Sequence, residues 1–117
     1  MLSNGPLVST FPNPDTNRMM IEHTVTFSLK HSPDSDAERA FLAAANELSA
    51  IPGVQDFAIR RQVSAKHPHA FGITMRFATQ GDYDAYNAHP MHVAFVEERW
   101  LSEVEAFQEA DFVPLDS

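Results

Sequence analysis

Ile21, His23, Val25, Phe27 and Leu29 stand on one side of a two-residue alternation, with Glu22, Thr24, Thr26 and Ser28 on the other. A period of two marks a strand with one apolar face, because successive side chains on an extended backbone point in opposite directions. The pattern returns in Phe71, Ile73, Met75 and Phe77 against Gly72, Thr74, Arg76 and Ala78. A weaker version sets Phe57, Ile59 and Val63 against Ala58, Arg60 and Gln62. Strands of this kind form a sheet covered on one side, and the segments between them must supply the cover. One member of the apolar row, His23, is titratable.

The cover is legible in the intervening chain. Ser35 and Glu38 have capping-box spacing, and Ala37, Phe41, Ala44, Ala45 and Leu48 follow at helical intervals until Pro52-Gly53. This predicts a helix from about Asp36 to about Ala50. Ser64 to His69 is polar and turns the chain. Gly81-Asp82 opens a second helical stretch through Tyr83 and Tyr86, and Pro90, which has no N–H to lose, suits the first position of a further helix. There Val93, Val96 and Trp100 share a stripe, next to one formed by His92, Phe95 and Arg99. In the last segment Phe107 and Phe112 suit a strand, while Glu105, Glu109 and Asp111 interrupt its apolar face. We place a fourth strand from near Ala106. The order strand, helix, strand, strand, helix, strand is the ferredoxin-like α+β plan, a βαββαβ protomer with a four-stranded antiparallel sheet. Two helices cover one face only. Thr24, Thr26, Ala58, Thr74 and Ala78 on the other suit packing against a second sheet, so a homodimer through sheet faces is expected.

At 117 residues the chain is expected to hold one domain, residues 19–117, behind an irregular extension, residues 1–18, with three prolines. Met19 and Met20 offer an alternative start, and the extension suits covering a pocket or embracing a partner. Eight Lys plus Arg against sixteen Asp plus Glu give a charge of -8, which repels phosphate backbones and anionic bilayers, so neither nucleic acid nor membrane is an expected partner. There is no cysteine, which removes disulfides and thiolate chemistry. No apolar run approaches the roughly 20 residues of a membrane span. Arg18 is the first basic residue and prolines break the opening segment, so no signal peptide is predicted, and a cytoplasmic location is expected.

Chemistry concentrates in Tyr86-Asn87-Ala88-His89-Pro90-Met91-His92. Removing a proton next to a carbonyl needs a base and a donor for the developing oxyanion. Neutral histidine and tyrosine supply those two groups near pH 7, so His92, Tyr86 and His23 are the candidate catalytic residues. His89, Phe27, Phe71, Met75 and Phe95 are candidates for lining a pocket for a small hydrophobic ligand. The competing reading is structural: Tyr86 and His89 fix the helix junction, and the aromatic residues form a core. His89 with His92, or His67 with His69, falls short of the three or four ligands zinc requires. Neither a metal nor a cofactor is expected, and there is no Gly-rich phosphate loop or serine-nucleophile signature. Arg60 and Arg76, if inside a sheet-to-sheet interface, would need partners there.

Three places, in this order, carry a family resemblance: Ile21-Glu22-His23-Thr24-Val25-Thr26-Phe27, the Ile51-Pro52-Gly53-Val54 junction, and Tyr86-x-x-His89-Pro90-x-His92. From about Met20 to about Asp116 the chain resembles the stress-responsive α/β-barrel family, Dabb. The resemblance implies two ferredoxin-like protomers pressing their sheets together into a dimeric barrel. Many members have no assigned reaction, and some are stress-induced, highly stable oligomers. One plant member is a polyketide cyclase working by aldol condensation. Its Tyr and His acid–base pair match Tyr86 and His92, and a strand histidine in its pocket matches His23. At Phe71 that enzyme has a further histidine, so its substrate contacts differ. The expected function is binding, with acid–base conversion, of a small hydrophobic carbonyl compound. The alternative is a non-catalytic stress-responsive structural protein, followed by a cofactor-free or haem-type monooxygenase on the same fold.

Overall fold

The strand with the strictest alternation lies in the interior of the sheet. The computed structural model describes residues 20–116, and the expected extension, residues 1–18, lies outside them. Strand β1 (Ile21–Leu29) buries every second residue, from Ile21 through His23 to Leu29. It pairs antiparallel with β3 (Phe71–Phe77) on one side and β4 (Val104–Phe112) on the other. Strand β2 (Gln55–Arg61) flanks β3, giving the order β2-β3-β1-β4. This is the ferredoxin-like α+β sheet. Val63 falls beyond β2 and is 88% exposed, so the weakest of the three alternations ends two residues early. β4 begins at Val104, two residues before the expected start, and runs along an edge with only Val104 buried.

Helix α1 (Asp36–Asn46) begins as its capping residues require. Ser35 Oγ accepts from the Glu38 N–H at 3.1 Å, while Glu38 Oε1 accepts from the Asp34 N–H at 3.0 Å. The chain then tightens into a 3₁₀ turn (Glu47–Ala50) and leaves through Gly53, whose φ of 92° suits a residue without Cβ. Helix α2 (Gln80–Ala88) starts from Thr79, whose hydroxyl accepts from the Asp82 N–H.

Helix α3 (Pro90–Phe95) follows after one extended residue, His89, and passes into a wider π turn (Val96–Trp100). The π turn advances the phase by about one residue. Phe95 and Trp100 consequently both face the sheet, their centroids 6.3 Å apart, while Val93 is 39% exposed. The expected Val93–Val96–Trp100 stripe is corrected accordingly, since it assumed an unbroken 3.6-residue period.

The core is aromatic. Phe27 is fully buried, 5.7 Å from Phe41, 5.5 Å from Phe71 and 5.2 Å from Trp100, centroid to centroid. The Arg61 guanidinium lies 5.1 Å over the other end of this row, on Phe71. The open face carries Thr24, Thr74 and Ala58 in one register row and Thr26, Gly72 and Arg60 in the next. Arg76 lies opposite Glu22, and Arg60 donates to Thr74 Oγ1 at 3.4 Å. Phe27→Ala would leave a cavity beneath α1. We expect a loss of about 3–5 kcal/mol in urea unfolding; a cost below about 1 kcal/mol would contradict this packing.

Candidate active site beneath the helix break

Pro90 sets the local geometry. In an unbroken helix the Asn87 carbonyl would accept from the Met91 N–H, but His89 is extended and that bond is not made. The Met91 N–H instead donates to His89 Nδ1 at 3.1 Å, so His89 caps α3. The freed Asn87 carbonyl accepts from His92 Nδ1–H at 3.1 Å. A carbonyl only accepts, so the His92 proton sits on Nδ1 and the lone pair on Nε2. Burial pushes the His92 pKa down from its ordinary 6.5, and proximity to His23 adds to this, against the Asn87 bond and Glu109, which raise it. His92 is therefore a neutral base at pH 7.

Beneath it, β1 brings up His23, 5% exposed. Its Nδ1 lies 2.6 Å from Asp111 Oδ1, and the Tyr83 hydroxyl donates to Asp111 Oδ2 at 2.9 Å. The Tyr83 oxygen is also 2.9 Å from His23 Nδ1, sharing its proton. A carboxylate only accepts, so His23 Nδ1 carries a proton directed at Asp111. Tyr83 stacks on Phe77 at 5.0 Å. Burial first, and then the Asp111 bond and the charges of Asp111 and Glu109, push its pKa up, so it remains a donor.

Tyr86 lies between the two histidines, its ring 4.6 Å from His92 and 6.4 Å from His23. Only 2% of it is exposed, and burial, reinforced by Glu109, pushes its pKa up and keeps the hydroxyl protonated. Among the described residues, Tyr86 Oη and both Nε2 atoms make no hydrogen bond, yet no buried side-chain nitrogen or oxygen there lacks a partner. The three side chains border the same free volume. A cavity of about 250 Å³ supplies it, with His23, Tyr86, His92, Met75, Phe95 and Trp100 among its walls and Phe107 and Glu109 along β4.

The structure thus brings together His23, Tyr86, His92, Met75 and Phe95 from the sequence-derived set. Phe27 and Phe71 stand behind the wall in the core, and His89 is committed to capping. Sequence reasoning missed Tyr83, Asp111 and Glu109. The signal was present: Tyr83 and Tyr86 are three apart on one helix face, and Phe107, Glu109 and Asp111 alternate on one strand face.

A second hollow of about 250 Å³, between α1 and α3 with Glu47, Met91, Glu98 and Arg99 on its walls, contains none of the tyrosines or histidines. The His67–His69 loop lies at the open face, with His69 Nδ1 2.8 Å from Thr26 Oγ1. Among the described residues, no three His, Asp or Glu side chains gather as a metal-ligand set, and no helix is long and apolar enough to cross a membrane.

Two measurements check this geometry. Long-range ¹H–¹⁵N spectra near neutral pH should show His92 as the Nδ1–H tautomer and a proton on Nδ1 of His23; a proton on Nε2 of His92, or a bare Nδ1 on His23, would contradict the assignment. Because the folded His92 pKa is depressed, the unfolded chain binds the extra proton first, and stability is lost as pH falls below about 6.5. His92→Gln should flatten that part of the urea-unfolding profile, and an unchanged slope would contradict burial of a neutral imidazole.

A family model described as the stress responsive A/B barrel domain, Dabb, matches residues 21–114. Among solved structures, a Dabb family protein with a ferredoxin-like fold from Mesorhizobium loti is 54% identical, over 82% of this chain and 97% of that one, with a TM-score of 0.81. A dimeric ferredoxin-like protein of unknown function from Thermobifida fusca is 20% identical, over 82% and 92%, with a TM-score of 0.69. The hydroxynitrile lyase of Passiflora edulis is 12% identical, over 86% and 97%, with a TM-score of 0.73. At the last two identities the likeness is one of fold alone. No curated protein matches the chain. The family model and the Mesorhizobium relative together show that the chain belongs to the Dabb stress-responsive A/B barrel family.

Proposed function

We propose that the protein binds a small hydrophobic carbonyl compound in the cavity beneath the helix break and labilises a proton next to its carbonyl. The observation that carries this is the convergence of one protonated hydroxyl, Tyr86, and two imidazoles, His92 and His23, on a cavity with apolar walls. The carbonyl oxygen accepts from Tyr86 Oη–H. Nε2 of His92 takes the adjacent C–H proton, and the electron pair moves toward the oxygen as an enolate held by that hydroxyl. His23 offers a second imidazole, oriented by Asp111 and Tyr83. Phe95 and Trp100 supply apolar wall beside the reacting atoms. Fold alone would not choose this chemistry, since one fold hosts many functions.

A structural reading has one observation in its favour: His89 and His92 both satisfy backbone groups at the junction. It does not account for the Tyr86 hydroxyl, which bonds to none of the described residues and borders the cavity. We also propose that two protomers pair through the open sheet faces. The Thr and Ala rows of that face support this, as does the description of the Thermobifida protein as dimeric.

Hydrogen–deuterium exchange at the α-carbon of simple aryl ketones, followed by NMR in D₂O, tests the chemistry. The protein should accelerate exchange, and His92→Ala should lose about 10²-fold or more of that acceleration while keeping its fold. Tyr86→Phe should lose a comparable factor. Exchange no faster than in buffer would reject catalysis. An effect of His92→Ala confined to thermal stability would favour the structural reading. Sedimentation at micromolar concentration should give twice the protomer mass, and Thr74→Arg should shift it to the monomer; a monomeric parent protein would contradict the pairing.

A further inference from the structure

The cavity has charge as well as shape. Among the described residues its walls include no Lys or Arg, and Glu109 is their one formally charged member. Strand register fixes where that carboxylate points: Glu109 pairs with Val25 and Phe107 with Phe27, both on the helix-covered face of β1. Asp111, two residues on, is committed to His23 and Tyr83. Glu109 makes no hydrogen bond or ion pair with any described residue. Beside it stand two aromatic rings, Phe107 on the same strand face and Trp100 above it, in an edge-to-face arrangement at 5.5 Å. The influence of Glu109 reaches the site, raising the pKa of Tyr86 and of Tyr83.

A carboxylate flanked by aromatic rings is the arrangement that recognises an ammonium group, by ion pairing and by attraction to the ring faces. An anion entering the same space meets like charge and, among the described residues, no Lys or Arg in the walls. We infer that this cavity selects carbonyl compounds bearing a protonated amine, placed at Glu109 with the carbonyl at Tyr86, and turns away carboxylates of the same shape. This rests on the carbonyl reading of the site and adds the substrate's charge to it. The expectation of a purely hydrophobic ligand is thereby narrowed. At about 250 Å³ the cavity is just below the usual range of small-molecule pockets, which restricts the ligand to about the size of a substituted aryl ketone.

Three probes of nearly equal size separate the terms: 4-(aminomethyl)acetophenone, 4-methylacetophenone and 4-acetylbenzoate. Dissociation constants are measured by NMR titration of the full chain and of Glu109→Gln, at low and high salt. The ammonium probe should bind the parent protein about tenfold tighter than the carboxylate at low salt, a difference of about 1.4 kcal/mol. In Glu109→Gln, and at high salt, that ratio should fall toward one. Equal affinities in the parent protein, or a ratio that survives Glu109→Gln, would overturn the inference. The neutral ketone keeps the two claims apart. If it binds while the charge ratio is absent, the carbonyl site stands and the inference falls. If only the ammonium probe binds, and through Glu109, charge selection stands and the carbonyl reading falls.

Discussion

A missing N–H organises this site. Pro90 cannot continue α2, so the backbone straightens for one residue at His89 and restarts as α3. The break strands the Asn87 carbonyl, and His92 Nδ1–H takes it. That single bond fixes the tautomer and leaves the lone pair on Nε2, in a ring that lines the cavity beside Tyr86. In the proposed function the same residues serve architecture and chemistry, because satisfying one nitrogen of an imidazole for structural reasons determines what the other can do. His89 shows the contrast: its Nδ1 is spent on the Met91 N–H and its ring takes no place in the cavity wall.

A second such arrangement lies on the sheet. His23 is held by Asp111 across the β1–β4 ladder, and Tyr83 from α2 closes the triangle. The triangle joins three elements far apart in sequence, so the edge strand, otherwise poorly buried, is tied to the covered face by polar as well as backbone contacts. The two histidines thus each hold a proton on Nδ1 by different means, one through a backbone carbonyl and the other through a carboxylate. Burial of Tyr86 between them keeps its hydroxyl a donor. Complementary donor and acceptor atoms around one volume are what a carbonyl and its neighbouring C–H require.

How much of this the sequence revealed follows from the kind of signal involved. Alternation is strong in Ile21–Leu29 and Phe71–Phe77, and it placed the sheet, its covered face and His23 correctly. The proline in Tyr86-x-x-His89-Pro90-x-His92 located the helix break, and the motif pointed to the family. The π turn was invisible because no residue type demands it, so the Val93–Val96–Trp100 stripe was drawn with the wrong period. Glu109 and Asp111 were read as blemishes on an apolar strand face, yet an acid on such a face is where a buried partner should be sought. Asp111 gains its meaning only from a register opposite His23, and long-range register has no local signature. His89, Phe27 and Phe71 were grouped with the cavity by residue type, whereas wall and core differ by a few ångströms of depth.

The central claim is that Tyr86 and His92 face a ligand rather than each other. A crystal structure of the protein soaked with 4-methylacetophenone tests it most directly. The account predicts the ketone beneath the helix break, its carbonyl oxygen about 2.7–3.0 Å from Tyr86 Oη and its methyl ketone carbon beside His92 Nε2. A ketone seated in the hollow between α1 and α3, with the cavity collapsed around the Tyr86 and His92 rings, would contradict it.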